Sequence, residues 1–265
     1  MSGDVASGRR VLVVVPAWNE EDALPGVLAE LKVKMPTADV LVVDDGSTDA
    51  TRHVAARAGV AVLVLPYNVG VGGAMRAGFR YAERHDYDAV AQIDGDGQHD
   101  PTYLRAALDA LGEADVVIGS RFAGAGDYDV RGPRRLAMLV LARALSRTAG
   151  TSLTDVTSGM RVASRRAIKL FAMHYPAEYL GDTVESLVIA VRAGLRIAEV
   201  PVAMRVRQGG RPSHSPVKST IYLMRAVLAL GLAYVRRWPA VDIGPDTEHL
   251  SAVDSQHASR SRRAS

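Results

Sequence analysis

The sequence contains no cysteine among its 265 residues. That absence excludes disulfide bonds, thiolate metal sites and a cysteine nucleophile. Aromatic residues make up only 5%, and the most apolar stretch, residues 221–235, contains Arg225. A membrane-spanning helix needs about 20 apolar residues, so the sequence predicts none. The first ten residues also lack the apolar segment of a secretory signal. What remains is a globular composition, with 48% hydrophobic and 23% charged residues.

Positive charge is concentrated in two segments, although the net charge of the chain is only +3. Residues 200–240 contain seven basic residues and no acidic one, and residues 130–154 contain five arginines and no acidic residue. Acid-free basic segments attract phosphate groups, anionic membranes or nucleic acid. No nucleic-acid-binding motif accompanies them, so we expect no nucleic-acid partner.

Short apolar runs alternate with amphipathic segments in the first half of the chain. Runs rich in Val, Ile and Leu predict strands within residues 9–20, 38–48, 60–68, 87–97 and 114–121. Helical patterns between them cover Glu21–Lys34, Asp49–Ala58, Gly72–His85 and Pro101–Leu111. Strands that are apolar on both faces and alternate with helices are typical of an open, mostly parallel α/β sheet.

The second half of the chain has a less regular pattern. We predict helices over Arg134–Thr148 and Asp182–Ala193, a strand or turn over Asp155–Val162, and a strand over residues 196–204. We also expect Ser47 or Thr48 to cap the second helix of the first half.

Polar side chains follow four of the predicted strands. They are Asn19 and Glu20, Asp44 and Asp45, Asn68, and finally Asp94 and Asp96. In open α/β sheets, ligands bind in the crevice beyond the carboxyl ends of the strands. The sequence therefore predicts a binding site at this edge of the sheet.

The segment "DGDGQHD", residues 94–100, places two carboxylates two positions apart at a strand end. Oxygen ligands of this kind suit Mg²⁺ or Mn²⁺, and Gln98 or His99 is in place to complete the shell. A glycine-rich turn with capping acids explains the same residues, so the pair alone leaves both interpretations open. The distal glutamate of an EF-hand is missing.

Two further segments have a functional and a structural interpretation. In "VVDDGSTD", residues 42–49, helix capping explains the last three residues but not Asp44 and Asp45, which are suited to a nucleotide base or ribose. In "YNVGVGGAMRAG", residues 67–78, glycines at a helix start allow either close approach of a phosphate or close helix packing.

Four motifs occur in order: "VPAWNEE", "VVDDGSTD", "NVGVGGAMRAGF" and "DGDGQHDP". Over residues 10–235 the chain resembles the family 2 glycosyltransferases, and among them the dolichol- and polyprenyl-phosphate sugar synthases. The resemblance implies a GT-A fold, which is a Rossmann-like open mixed sheet flanked by helices, with basic C-terminal helices at the membrane interface. It also implies inverting, metal-dependent transfer of a sugar from a nucleotide sugar to a polyprenyl phosphate.

The resemblance also implies roles for individual residues. The nucleotide-sugar site would comprise Pro16, Ala17, Asn19, Glu20, Asp44, Asp45, Gly73, Asp94 and Gly95. Asp94, Asp96 and Gln98 would bind Mg²⁺ or Mn²⁺. The acceptor phosphate would contact Arg134, Ser158, Arg161, Arg205 and Arg207. Catalytic roles would fall to Asp96, Arg121 and Arg211, with Asp182 and Glu185 as candidate bases for a hydroxyl acceptor.

We expect four segments: a flexible N-terminus (1–9), the glycosyltransferase domain (10–215), an amphipathic membrane-associated or packing helix (216–239) and a disordered tail (240–265). The expected partners are a nucleotide-sugar donor, a polyprenyl phosphate and an anionic membrane surface, with a small membrane protein as a candidate anchor. These partners predict a cytoplasmic protein, peripheral at the inner face of the membrane.

Three other functions fit part of the pattern. The first is transfer to a saccharide or small-molecule hydroxyl. The second is a non-catalytic nucleotide-sugar binding module, which the intact pair Asp94 and Asp96 disfavours. The third is a nucleotidyltransferase, which would need a G-x-G-T-R-type loop after the first strand, where this chain has "VPAWNEE".

Overall fold

The computed structural model describes residues 8–122, 133–177 and 182–205, and of residues 133–137 the backbone alone. The strands are β1 (Val11–Ala17), β2 (Asp39–Asp44), β3 (Ala61–Val64), β4 (Ala89–Gln92), β5 (Val116–Ser120), β6 (Arg161–Ser164) and β7 (Ile197–Pro201). The helices are α1 (Leu24–Lys34), α2 (Thr51–Arg57), α3 (Gly70–Arg84), α4 (Tyr103–Asp109), α5 (Pro133–Ala149), α6 (Arg165–His174) and α7 (Asp182–Arg192).

The strands form one sheet in the order β3-β2-β1-β4-β6-β5-β7. Every pairing is parallel except those of β6, which runs antiparallel to both β4 and β5. The α/β class and the five strands of the first half are therefore confirmed. The carboxyl ends of β1, β2, β4 and β5 lie at one edge, where β6 begins.

The structure differs from the sequence-based expectation around β6. The strand spans Arg161–Ser164, and the residues from Asp155 to Met160 form the turn that leads into it. Helix α6 then starts directly, with the Ser164 hydroxyl accepting from the backbone N–H of Ala167. Helix α6 was not predicted from the sequence, because its buried apolar residues are interrupted by Arg165, Arg166 and Lys169 and follow a strand without a loop.

Two apolar cores cover the two faces of the sheet. Along β1, Leu12 and Val14 pack in the core on the α3 side, while Val13 and Val15 pack on the α1 side with Leu31. Burial on both faces explains why this strand has a continuous apolar sequence instead of an alternating one. Within the described ranges, no helix has the length and apolar content to cross a membrane. The predicted segments 216–239 and 240–265 lie outside those ranges.

Candidate active site

The loops after β1 and β2 are joined by hydrogen bonds at the carboxyl edge of the sheet. Asn19 adopts a left-handed conformation with φ of 54°. Its backbone N–H donates to the Ser47 hydroxyl (N···Oγ 3.0 Å), and its side-chain carbonyl accepts from the backbone N–H of Thr48 (2.9 Å). The expected capping role of Ser47 or Thr48 is therefore wrong. Helix α2 begins at Thr51, whose backbone N–H donates to Asp49 Oδ1 (2.9 Å).

Asp44 and Asp45, predicted to bind the nucleotide, are both buried at the end of β2. Asp44 Oδ1 accepts from the backbone N–H of Ser47 at 3.0 Å. The two oxygens of Asp45 accept from the backbone N–H groups of Val69 and Gly70, both at 2.8 Å. Burial raises the pKa of Asp45, and these two donors oppose that rise. Asp45 thus holds the start of α3, and its contact with a nucleotide stays a prediction.

The glycines at the start of α3 allow close packing. A Cβ atom on Gly72 would collide with the carbonyl oxygen of Pro176 and lie 3.0 Å from the Asp182 Cβ. A Cβ atom on Gly73 would collide with the side chain of Val69. The packing interpretation therefore holds for Gly72, which brings Asp182 next to α3. The predicted nucleotide contact of Gly73 stays a prediction.

Asp94 and Asp96 follow β4 and are half-buried at the same edge. The Gln92 side-chain amide donates to Asp94 Oδ1 at 3.2 Å, and Asp96 Oδ1 accepts from the backbone N–H of Gln98 at 3.0 Å. A Cβ atom on Gly95 would lie 3.4 Å from the carbonyl oxygen of Pro16 and 3.5 Å from the Ala17 Cβ. The structure therefore brings Pro16, Ala17 and Gly95, which were predicted to form the nucleotide-sugar site, together with both carboxylates.

The turn before β6 leaves room for the carboxylate of Asp94. A Cβ atom on Gly159 would lie only 2.5 Å from Asp94 Oδ2. Within the described part of the chain, no three His, Asp or Glu side chains converge on one point. Asp94 and Asp96 provide carboxylate oxygens at this edge, which are the ligands that Mg²⁺ and Mn²⁺ prefer, and the contribution of the Gln98 amide stays a prediction. These residues fit a divalent cation.

Arg121 lies directly after β5 and is fixed by a carboxylate that the sequence analysis did not identify. Its Nε is 2.5 Å from Asp155 Oδ2, and its Nη2 is 2.8 Å from Asp155 Oδ1 and from the Thr157 hydroxyl. Burial alone would raise the pKa of Asp155, but hydrogen bonds and charge from Arg121 lower it overall. Asp155 is the only acidic residue between Arg131 and Ala177, a signal that would have identified it.

Replacing Asp155 with asparagine is expected to lower the free energy of unfolding by about 3 to 5 kcal/mol at pH 7, because the largely buried guanidinium of Arg121 loses its partner. Since folding lowers the pKa of Asp155, its stabilisation is present above the unfolded pKa, about 3.9, and is lost as the pH falls through the lowered folded pKa. Urea unfolding between pH 3 and pH 7 measures this. The exposed Asp22→Asn is the control. If the free energies of unfolding of the native protein and Asp155→Asn differ by the same amount at pH 3 and pH 7, the lowered pKa of Asp155 is contradicted.

Ser158, Arg161 and Arg205, predicted to contact the acceptor phosphate, all bind protein groups. The buried guanidinium of Arg161 donates to the carbonyl oxygens of Val156 and Ser158 (both 3.0 Å) and to the Ser186 hydroxyl (2.8 Å). The Ser158 hydroxyl is itself buried and accepts from the backbone N–H of Met160. Arg161 therefore supports the turn that contains Gly159.

Arg205 pairs with two carboxylates. Its Nη1 is 2.7 Å from Glu30 Oε1, and its Nη2 is 2.5 Å from Asp100 Oδ2. Phosphate contacts for Ser158, Arg161 and Arg205 stay predictions. The side chain of Arg134, and all of Arg207 and Arg211, lie outside the described part of the structure.

The candidate bases Asp182 and Glu185 lie in the first turn of α7. Asp182 is buried and Glu185 is half-buried. Burial raises the pKa of Tyr175 to about 12; Arg161 opposes the rise, while the nearby carboxylates of Asp182 and Asp94 add to it. The roles of Asp182 and Glu185 as bases stay predictions.

Two exposed aromatic residues at this edge were not among the predicted site residues. Trp18 follows β1 and is 45% exposed, and Tyr67 lies in the loop after β3 and is 68% exposed. Large apolar side chains in polar loops were the available signal. Flat aromatic faces of this kind suit stacking on a nucleotide base.

An open sheet with this strand order, and a carboxylate pair at the end of β4, is the architecture of the GT-A glycosyltransferases. The chain belongs to glycosyl transferase family 2, whose family model matches residues 12–171. The protein is a glycosyltransferase, and the resemblance inferred from the four motifs is confirmed.

Two relatives are similar in sequence to this protein over more than three quarters of its length. Undecaprenyl-phosphate mannosyltransferase of Micrococcus luteus is 37% identical over 78% of this chain and 88% of the relative. Polyprenol monophosphomannose synthase of Mycolicibacterium smegmatis is 31% identical over 76% of this chain and 80% of the relative.

Solved structures with the same fold include glucosyl-3-phosphoglycerate synthase of Mycobacterium tuberculosis. Its complex with phosphoglyceric acid has a TM-score of 0.68 and 24% identity, covering 89% of this chain and 83% of the other. Its complex with Mn²⁺, UDP and glucosyl-3-phosphoglycerate has a TM-score of 0.66 and 23% identity with the same coverage. At these identities the similarity establishes the fold alone.

Proposed function

We propose that this protein transfers a sugar from a nucleotide sugar to a polyprenyl phosphate, with inversion at the anomeric carbon. The observation that carries the proposal is the carboxylate pair Asp94 and Asp96, placed at the edge of a GT-A sheet. The acceptor class follows from the Micrococcus luteus relative, which is named for undecaprenyl phosphate and is 37% identical. The structural neighbours, at 24% identity or less, do not bear on the acceptor.

The metal site of this proposal comprises Asp94, Asp96 and Gln98, with Mg²⁺ or Mn²⁺ as the ion. When bound, the ion neutralises charge that develops on the departing diphosphate. The protein orients one ligand through the Gln92 amide, which donates to Asp94 Oδ1. It orients the other through the turn in which Asp96 accepts from the Gln98 backbone.

The donor site lies beside these carboxylates. The hydrogen bonds between Asn19 and the Ser47–Thr48 segment hold the loops after β1 and β2 as one unit. Gly95 lies close to Pro16, Ala17 and Glu20, because a Cβ atom added to it would be within 3.7 Å of all three. A nucleoside diphosphate lying across these loops places its base near Asp44 and Asp45 and its phosphates near Asp96. Trp18 and Tyr67 provide faces for stacking.

The acceptor of this proposal needs no general base. A lipid phosphate is already anionic, so its oxygen attacks the anomeric carbon while the bond from that carbon to the nucleoside diphosphate breaks. Arg121, Arg134, Arg207 and Arg211 provide positive charge for the two phosphate groups. Asp182 or Glu185 would act as a base only for a hydroxyl acceptor.

The proposal places the protein in the cytoplasm, peripheral at the inner face of the membrane where its lipid substrate is available. The acid-free basic residues of 200–240 and the apolar stretch 221–235 suit a helix lying on an anionic surface. A small membrane protein would serve as an additional anchor.

Replacing Arg211 with alanine is expected to raise the KM for polyprenyl phosphate about tenfold or more, because charge-assisted hydrogen bonds to the phosphate are lost. Donor binding should change little, and anionic liposomes should increase the activity of the native protein. The measurement is product formation from a panel of nucleotide sugars with polyprenyl phosphate. Arg57→Ala, an exposed change on α2, is the matched control for loss of one positive charge.

The same assay includes neutral oligosaccharides as acceptors. With a hydroxyl acceptor, Asp182→Asn or Glu185→Gln would be the severe change, and liposomes would have no effect. Transfer to the oligosaccharides alone, unchanged in Arg211→Ala, would contradict the polyprenyl-phosphate proposal.

A further inference from the structure

The imidazole of His99 is buried beside the carboxylate of Asp94 and is unused by the function proposed above. The residue is 5% exposed, and its Nδ1 lies 3.7 Å from Asp94 Oδ2. Within the described residues, Nδ1 is buried and has no hydrogen-bond partner. Buried polar atoms are nearly always paired, so an unpaired nitrogen directed at a carboxylate needs an explanation.

The backbone on both sides of His99 is held firmly, so the ring has a defined position. His99 forms an antiparallel bridge with Met204, and the backbone N–H of Arg205 donates to the carbonyl oxygen of Gln98 (2.9 Å). The guanidinium of Arg205 then spans Asp100 and Glu30 of α1. This double attachment fixes the loop that carries His99 to the body of the domain.

Two groups among the described residues approach the carboxylate of Asp94. The Gln92 amide donates to Oδ1 at 3.2 Å, and His99 Nδ1 lies 3.7 Å from Oδ2. Gly159 leaves the space beside Oδ2 open. The 3.7 Å separation is longer than a hydrogen bond, so the carboxylate has to turn toward Nδ1 for the bond to form.

We propose that His99 is a positioning residue, whose Nδ1–H donates to Asp94 Oδ2 and so orients this carboxylate for the divalent cation. The inference rests on the proposed function, because it concerns the same metal site. Outer partners of metal ligands typically contribute 10–100-fold to metal affinity.

Three substitutions of His99 test whether Nδ1, and not another part of the ring, supports Mn²⁺ binding. His99→Asn places an amide nitrogen close to the position of Nδ1, His99→Gln places one close to Nε2, and His99→Leu removes both donors. The probe is Mn²⁺ alone, titrated into the purified full chain and followed by electron paramagnetic resonance. We expect about tenfold weaker Mn²⁺ binding in the leucine and glutamine variants, and affinity within about threefold of native in the asparagine variant.

The controls separate this inference from the metal assignment itself. His53→Leu, an exposed change on α2, should leave Mn²⁺ affinity unchanged, and thermal unfolding verifies that every variant folds. If the leucine variant does not fold, the Mn²⁺ affinities of the asparagine and glutamine variants still test the role of Nδ1. Asp96→Ala in the same titration tests the site: if it leaves Mn²⁺ binding unchanged, both proposals are overturned.

If Asp96→Ala removes binding while all His99 variants bind like the native protein, the positioning role alone is overturned. An asparagine variant as weak as the leucine variant overturns it too. In activity assays, the glutamine and leucine variants should need about tenfold more Mn²⁺ for half-maximal turnover, with most of the turnover restored at saturation. A merely structural role would lower turnover without that shift.

Discussion

Replacing Asp96 with alanine is expected to lower sugar transfer by about 10³-fold, with no recovery in excess Mn²⁺ or Mg²⁺. Charge on the departing diphosphate is stabilised by the cation, and fixed groups that stabilise developing charge typically contribute 10²–10³-fold each. Asp96 is half-buried in the loop after β4 and lies outside the two apolar cores, so we expect the fold to survive the loss of its bond to the Gln98 backbone. The measurement is nucleotide release with polyprenyl phosphate present.

The control for this change is Asp109→Ala, which removes an exposed carboxylate from the end of α4. Treating the native protein with EDTA should reproduce the Asp96→Ala loss, and added Mn²⁺ should restore the native protein only. Full activity of the native protein in EDTA would exclude a metal-dependent mechanism.

Replacing Gly159 with alanine is expected to lower turnover by about 10²-fold, although residue 159 carries no chemistry of its own. The added Cβ would lie 2.5 Å from Asp94 Oδ2 and 3.2 Å from its Cγ. The short Asp94 side chain must rotate away, because Arg161 holds the turn on the other side through the carbonyl oxygens of Val156 and Ser158. The orientation that the cation requires is then lost.

The matched control is Gly112→Ala, where the added Cβ meets no atom within 4 Å and φ is not positive. Turnover, Mn²⁺ affinity and thermal unfolding are compared between the two variants. We expect the loss of Mn²⁺ affinity in Gly159→Ala alone, with a melting temperature within a few degrees of native. Native Mn²⁺ affinity in Gly159→Ala would show that the turn does not set the position of Asp94.

Much of the fold could be predicted from sequence, because the relevant signals are local. The apolar runs of β1, β2 and β4 extend over adjacent residues, and a strand covered on both faces has a continuous apolar pattern. The acids at their carboxyl ends then lie at one edge in any parallel sheet. Strand β6 and helix α6 were less predictable, since β6 has four residues and its antiparallel pairing with β4 joins positions 69 to 75 residues apart.

The sequence by itself determined the strand–helix alternation and the placement of Asp94 and Asp96 at the carboxyl edge of the sheet, because each depends on neighbouring residues. Tertiary structure alone decided which groups support them. Asp155 reaches Arg121 across 34 positions, and Gly159 lies beside Asp94 only because β6 inserts between β4 and β5. Contacts between distant positions depend on how the layers pack, and no local pattern records that packing.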